Sequence, residues 1–174
     1  MKMIKFIQNI ISGINEKVGT YIACWLILPL IAVVVYEVAS RYFFGKPTGW
    51  AYDMIWMLYA ALIFLGGAYT LLHEGHVKVD IISGSFPARV RGLVNSICYL
   101  VLFFPMAYVL MKSSFDLMYK AWVFSERSPY ALWKPLTGPI KTILFIGLLL
   151  LLLQGIVDFI DQLKVLAKGE NNES

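Results

Sequence analysis

Three stretches of the chain carry no charged side chain: Val18 to Tyr36, Met54 to Leu72 and Gly92 to Met111, of 19, 19 and 20 residues. A fourth, Leu136 to Val157, has Lys141 as its one charge and contains the run "GLLLLLLQG" from Gly147 to Gly155. An α-helix needs about 20 apolar residues to cross a hydrocarbon core roughly 30 Å thick. A spanning barrel would instead show alternating polarity, which these runs lack. The pattern therefore predicts an all-α integral membrane protein with four transmembrane helices, over approximately 18–40, 51–72, 92–118 and 137–158.

Between and before the runs the pattern changes. In "MKMIKFIQNIISGINEK" apolar residues stand at 1, 3, 4, 6, 7, 10, 11 and 14 with polar ones between them, the spacing of an amphipathic helix. It lacks the continuous apolar centre and small-residue cleavage site of a signal peptide, so residues 1–17 read as a retained interfacial helix. Pro29 marks a kink in the first span. Gly45, Pro47 and Gly49 make the turn after it, flanked by Tyr36, Tyr42, Phe43, Phe44 and Trp50 at the water–lipid interface. Gly66 and Gly67 offer the second span a place for close helix approach. The third helix is expected to continue past its lipid span. Pro129, Pro135 and Pro139 hold the next connection open, Pro139 serving as a first-turn residue of the fourth helix. The whole chain, 1–174, reads as one four-helix membrane domain with both termini on the same side.

Composition supports this reading: 59% of the residues are hydrophobic and 15% charged, more apolar surface than a soluble domain of this length hides. Cys24 and Cys98 both fall inside spans and read as small packing residues. The formal charge of +4 is spread over the loops, which fits membrane lipid head groups and no nucleic acid. Lysine and arginine number eight on the terminal side and seven on the other, a margin that leaves orientation open. The early Lys2, Lys5 and Lys17 favour cytoplasmic termini.

The polar stretch "LLHEGHVKVDII", 71 to 82, is the strongest candidate for chemistry. Metalloprotease helices place histidines at i and i+4, whereas His73 and His76 are three apart with Gly75 between them. His73, His76 and Asp80 on a distorted turn remain as a metal option, against a capped, hydrated helix end. Haem ligation between helices needs histidines on different helices, and there are only these two. Elsewhere charges avoid the span centres: Glu37 and Arg41 end the first helix, as an i, i+4 pair or with Arg41 facing a partner. Asp53 begins the second, and Lys112 and Asp116 end the third. The residues indicate no catalytic centre, metal, cofactor or pore.

Four blocks occur in order along the chain: "SRYFFGKPTGWAYD", "HEGHVKVDII", "ERSPYALWKP" and "GPIKTILFIGLLLLLLQG". Together they resemble the small membrane subunits, of the DctQ-like Q type, of tripartite ATP-independent periplasmic (TRAP) transporters, over roughly Tyr21 to Leu163. Arg41, Tyr42, Phe43, Trp50 and Asp53 match the first block, although relatives often carry glutamate where Asp53 stands. Gly75, His76, Val77, Val79 and Asp80 match the second, and Gln154 and Gly155 close the last. The resemblance implies a non-enzymatic subunit of a bacterial inner membrane complex. Its implied partners are a large, sodium-coupled M-type membrane subunit and a periplasmic substrate-binding protein, and its implied cargo is an organic acid anion. Arg41, Lys46, Glu126, Arg127, Trp133 and Lys134 are expected to help dock the binding protein. Trp50, Asp53, Trp56, Tyr59, Gly75, His76, Asp80 and Gln154 are expected to form the scaffold and subunit interface. The aromatics Trp56, Tyr59, Phe64 and Tyr69 are expected to turn one face of the second span to the large subunit. The competing assignments are a subunit of a tripartite tricarboxylate-type transporter or of a membrane redox complex.

Overall fold

A computed structural model describes residues 2–73, 88–129 and 133–168. The chain folds as α1 (Lys2–Lys17), a π-helical turn (Val18–Ala23), α2 (Cys24–Phe44), α3 (Ala51–Leu72), α4 (Ala88–Cys98), a second π-helical turn (Tyr99–Phe103), α5 (Phe104–Val123) and α6 (Gly138–Lys168). Four helices are long and apolar enough to cross a membrane: Phe6–Phe44, Ala51–Leu72, Gly92–Val123 and Gly138–Lys164. We refer to them as the first to fourth spans. The protein is thus an all-α membrane protein.

The helices overrun the charge-free runs. The first span is 39 residues, about 58 Å at 1.5 Å per residue, roughly twice the hydrocarbon thickness. Its N-terminal part is the amphipathic segment α1, which joins the span through the π-helical turn without a non-helical break. The backbone irregularity of this span falls at Val18–Ala23, while α2 runs through Pro29. Within this turn Gly19 lets the helix approach the second span closely, since a Cβ there would lie 2.2 Å from the Tyr69 ring. The second irregularity, Tyr99–Phe103, ends two residues before Pro105. A helix-interior proline cannot donate to the carbonyl four residues back, here Val101, and clashes with it, and a local π turn accommodates both effects. Lys112 and Asp116 do not end the third helix, which continues to Val123. An i, i+4 charged pair is compatible with helix wherever its surroundings solvate it.

Packing is a layer rather than a closed bundle. The second and fourth spans share the most extensive contact, the first packs on the second, and the third packs on the fourth. The spatial order is therefore first, second, fourth, third, with the first and third as edges. Even the fourth span, the most enclosed, has only 28% of its apolar window buried.

Each seam is closed by a glycine. At the centre, Gly147 lies so close to the second span that a Cβ would sit 2.4 Å from the Phe64 carbonyl oxygen. Gly155 accommodates the Phe103 ring, and Gly92 lies against Gln162 and Leu166. Gly66 and Gly67, expected to be the points of close approach, make only ordinary contacts with Ala23 and Leu151.

Gly147→Ala should force the central seam apart and destabilise the protein by about 1–3 kcal/mol, the usual range for overpacking. Gly13 has nothing within 4 Å of a built Cβ. Gly13→Ala should be neutral or stabilising by up to about 1 kcal/mol, as in an open helix position. Thermal unfolding of the two purified variants in one detergent checks both.

Candidate functional site: two polar clusters at the ends of the layer

At the end that carries the 45–50 turn, the chain leaves α2 through Gly45 in the left-handed conformation (φ 60°), which only a residue without a Cβ adopts freely. The Lys46 N–H reaches the Ser40 carbonyl at 3.2 Å, and Ser40 Oγ donates to the Lys46 carbonyl at 2.6 Å. Glu37, buried in α2, then fastens the turn. It accepts from the Thr48 N–H at 3.1 Å, from the Thr48 hydroxyl, and from Arg41 Nη2 at 2.9 Å. The expected Glu37–Arg41 pair is present, and Glu37 also serves the turn beyond it. Arg41 keeps 61% of its side chain exposed, so the pair anchors its charge at the surface. Trp50 stacks on Tyr36 with ring centroids 5.7 Å apart.

Asp53 is fully buried at the start of α3. One carboxylate oxygen accepts from Trp56 Nε1 at 3.0 Å and from Ser128 Oγ at 2.7 Å, and the other has no hydrogen-bond partner. The Ser128 contact joins the second span to the connection between the third and fourth. That connection folds back on itself: Ser128 N–H donates to the Pro135 carbonyl, Thr137 N–H to the Glu126 carbonyl, and Arg127 Nη1 to the Lys134 carbonyl. Lys141 Nζ meets Glu126 at 2.5 Å and clips the fold to α6.

The structure thus brings Arg41, Lys46, Glu126, Arg127, Trp133 and Lys134 to one end of the layer. Arg41, Lys46, Glu126, Arg127, Trp133 and Lys134 are all exposed there. The internal anchors of this surface, Thr48 and Ser128, were missed by the sequence reading. No local pattern distinguishes a hydroxyl that anchors a turn from one that faces water.

The opposite end holds the second cluster. Asn15 Nδ2 donates to Gln154 Oε1 at 2.9 Å, both side chains being 1% exposed, and Gln154 Nε2 donates to Asp158 at 3.1 Å. Tyr99 OH reaches Asp158, and Asn95 reaches Gln162, both at 3.3 Å. Gln8, Asp161 and Lys164 bond one another. The polar face of α1 therefore turns inward onto α6, while Phe6, Ile7, Ile10 and Ile14 face outward. This inverts the amphipathy of a soluble helix and suits an apolar surrounding. His73 pairs with Glu16 at 3.4 Å and stacks on Tyr69 at 4.3 Å.

Two residues of the expected scaffold and interface motif, Asp53 and Gln154, are buried within the chain. Asp53 bonds Trp56 and Ser128, and Gln154 bonds Asn15 and Asp158, so both hold the chain's own elements together. Of the four aromatics expected to turn a face of the second span outward, Tyr59 alone is exposed. Trp56 bonds Asp53, Phe64 backs Gly147, and Tyr69 fills the space at Gly19. Gly75, His76 and Asp80 lie outside the described residues. Among the described residues no group of three or more histidine, cysteine, aspartate or glutamate side chains could hold a metal ion.

Four long apolar helices with hydrogen-bonded polar clusters at their two ends define a multi-pass membrane protein. The family described as the DctQ component of tripartite ATP-independent periplasmic transporters matches residues 30–165. The chain belongs to this family, the small permease component of TRAP transporters. It is also 26% identical over 88 residues to the sialic acid TRAP transporter small permease protein SiaQ of Vibrio cholerae serotype O1. That stretch covers 51% of this chain and 49% of the relative, so the chain spans about half the length of the curated relative it matches.

Asp53→Ala should leave Ser128 Oγ and Trp56 Nε1 without their acceptor and cost about 2–3 kcal/mol, whereas Ser128→Ala should cost about 1. Limited proteolysis within 124–137 is the readout: faster cleavage in both variants, most in Asp53→Ala, is expected.

Proposed function

We propose that the chain acts as a non-enzymatic scaffold in a TRAP transporter of the bacterial inner membrane. It packs on a large sodium-coupled membrane subunit and helps to dock a periplasmic substrate-binding protein during uptake of an organic acid anion. The observation that carries this reading is the use of the polar side chains. In the described residues the hydrogen-bonded polar side chains close the two ends of an open layer, and the first and second spans carry no charge at mid-height, as suits a stationary support better than a pathway for ions. The broad apolar faces of the layer, which none of the described residues covers, give the large subunit and lipid their contact surface.

The early Lys2, Lys5 and Lys17 favour cytoplasmic termini, an orientation in which Arg41, Lys46, Glu126, Arg127, Trp133 and Lys134 lie on the periplasmic face. These residues sit on segments tied down by Glu37, Asp53 and Lys141, so their charges are presented from a fixed base, which favours docking. The relative named for sialic acid supports an organic acid as cargo, sialic acid being one.

The test is the double variant Arg41→Glu with Arg127→Glu. Uptake should fall by about an order of magnitude, because charge reversal at an interface rim slows encounter. The two-subunit membrane complex should still co-purify, since neither side chain is buried. Full uptake in the double variant refutes the docking role.

A further inference from the structure

Lys112, Asp116 and Lys120 form an i, i+4, i+8 stripe on the third span, and all three are exposed. The seams fix the height at which they stand. Phe64 lies beside Gly147 and Gly67 beside Leu151, Phe115 faces Phe145, and Phe103 meets Gly155. Stepping along the helices from these contacts puts Asp116 at the height of Ala61, the middle of the second span, and Lys112 at that of Leu65. At that height the first and second spans carry no charge at all.

The same contacts order the ends of the four charge-free runs. On the side of the 45–50 turn, the first run ends at Glu37, which bonds Thr48 just before the second span begins. The second ends at Asp53, the fourth at Lys141, level with Leu58, and the third at Lys112, level with Leu65. On the other side the first run ends at Lys17, level with Leu71, and the second at His73, paired with Glu16. The fourth ends at Asp158, beyond the end of α3, and the third at Arg91, next to Gly92, which lies against Gln162 and Leu166. Both sets of ends step the same way in the spatial order first, second, fourth, third. Unequal helix lengths would shift only one set, whereas an inclined layer shifts both.

We infer that the layer lies in the bilayer with its helices inclined within the plane of the layer. The stagger is about 13 residues, or about 20 Å, over three interhelical steps of about 9 Å, which gives a tilt of about 35°. This lies within the 0–40° range of membrane helices. The outer part of the third span, with Lys112, Asp116 and Lys120, then stands among head groups and water on the side of the 124–137 connection. An upright layer would hold exposed Lys112 and Asp116 against acyl chains at mid-depth, a position that charged side chains avoid. At this tilt a charge-free run of 19 or 20 residues traverses about 23–25 Å of depth, and Lys17, Lys112 and Lys141 lengthen the first, third and fourth runs by extending their ammonium groups along the helix. The inference rests on the spans and their contacts, and holds or fails apart from the docking role.

The test is collision accessibility of nitroxide labels on the full chain reconstituted in liposomes, which reads depth irrespective of sidedness. In a Cys24→Ala, Cys98→Ala background, Ser113→Cys and Leu117→Cys on the third span are compared with Ile63→Cys, which stands at the same height on the second. All three positions are exposed and leave the charged stripe intact. Labels at 113 and 117 should be about tenfold more accessible than that at 63 to a water-soluble nickel chelate, which hydrocarbon excludes. Ile97→Cys, level with Asp161, should instead favour oxygen, as a site in hydrocarbon does. Oxygen-favouring profiles at 113, 117 and 63 alike would show an upright layer and overturn the inference. Protection of 113 and 117 from both reagents would overturn it equally, by showing that protein covers the stripe.

Discussion

In hydrocarbon an apolar side chain gains little by exchanging lipid for protein, so helices must associate through close contact and through polar groups that need partners. This constraint explains the seams of the layer. Gly19 receives Tyr69, Gly147 receives the Phe64 backbone, and Gly155 receives Phe103. At each seam one helix lacks a side chain where its neighbour presents a ring or a carbonyl. The central seam matters most, because the second and fourth spans each carry one edge helix. If these two separate, the clusters at the ends are what joins the halves among the described residues.

Those clusters satisfy the second half of the constraint. Glu37, Asp53 and Ser128 tie the two connections at one end to the helices, and Asn15, Gln154, Asp158 and Tyr99 bind α1 and the third span to α6 at the other. The polar side chains therefore hold the ends together while the apolar middle is held by shape alone. Among its described residues, this member of the TRAP small permease family presents two broad faces, with the first and third spans at opposite edges. This architecture agrees with a supporting role beside a subunit that does the transport.

Much of this was legible from pattern. Charge-free runs of membrane-crossing length define four spans whatever the tertiary arrangement, because every backbone polar group must be satisfied within the helix. The Glu37–Arg41 pair and Pro139 in the first turn of α6 also follow from local spacing. The inward turn of Gln8 and Asn15 did not, since amphipathic periodicity reports that a helix has two faces and not which of them meets protein. Lys112 and Asp116 read as a helix end because charge commonly marks the membrane boundary, yet the helix runs on to Val123. The boundary and the helix end coincide only for a helix that stops where it leaves the lipid.

The sequence alone determined the class of protein, the number of spans and the motifs that place it in its family, all of which depend on residues near one another in the chain. Only the tertiary structure decided the order of the spans, the burial of Asp53 and Gln154, and the choice of Gly19, Gly147 and Gly155 over Gly66 and Gly67 as points of close approach. Each depends on what a neighbouring helix presents at the same height. Asp53 and Ser128 are 75 residues apart in the chain, and Asn15 and Gln154 are 139 apart. A periodicity that extends over a few turns carries no record of such pairings.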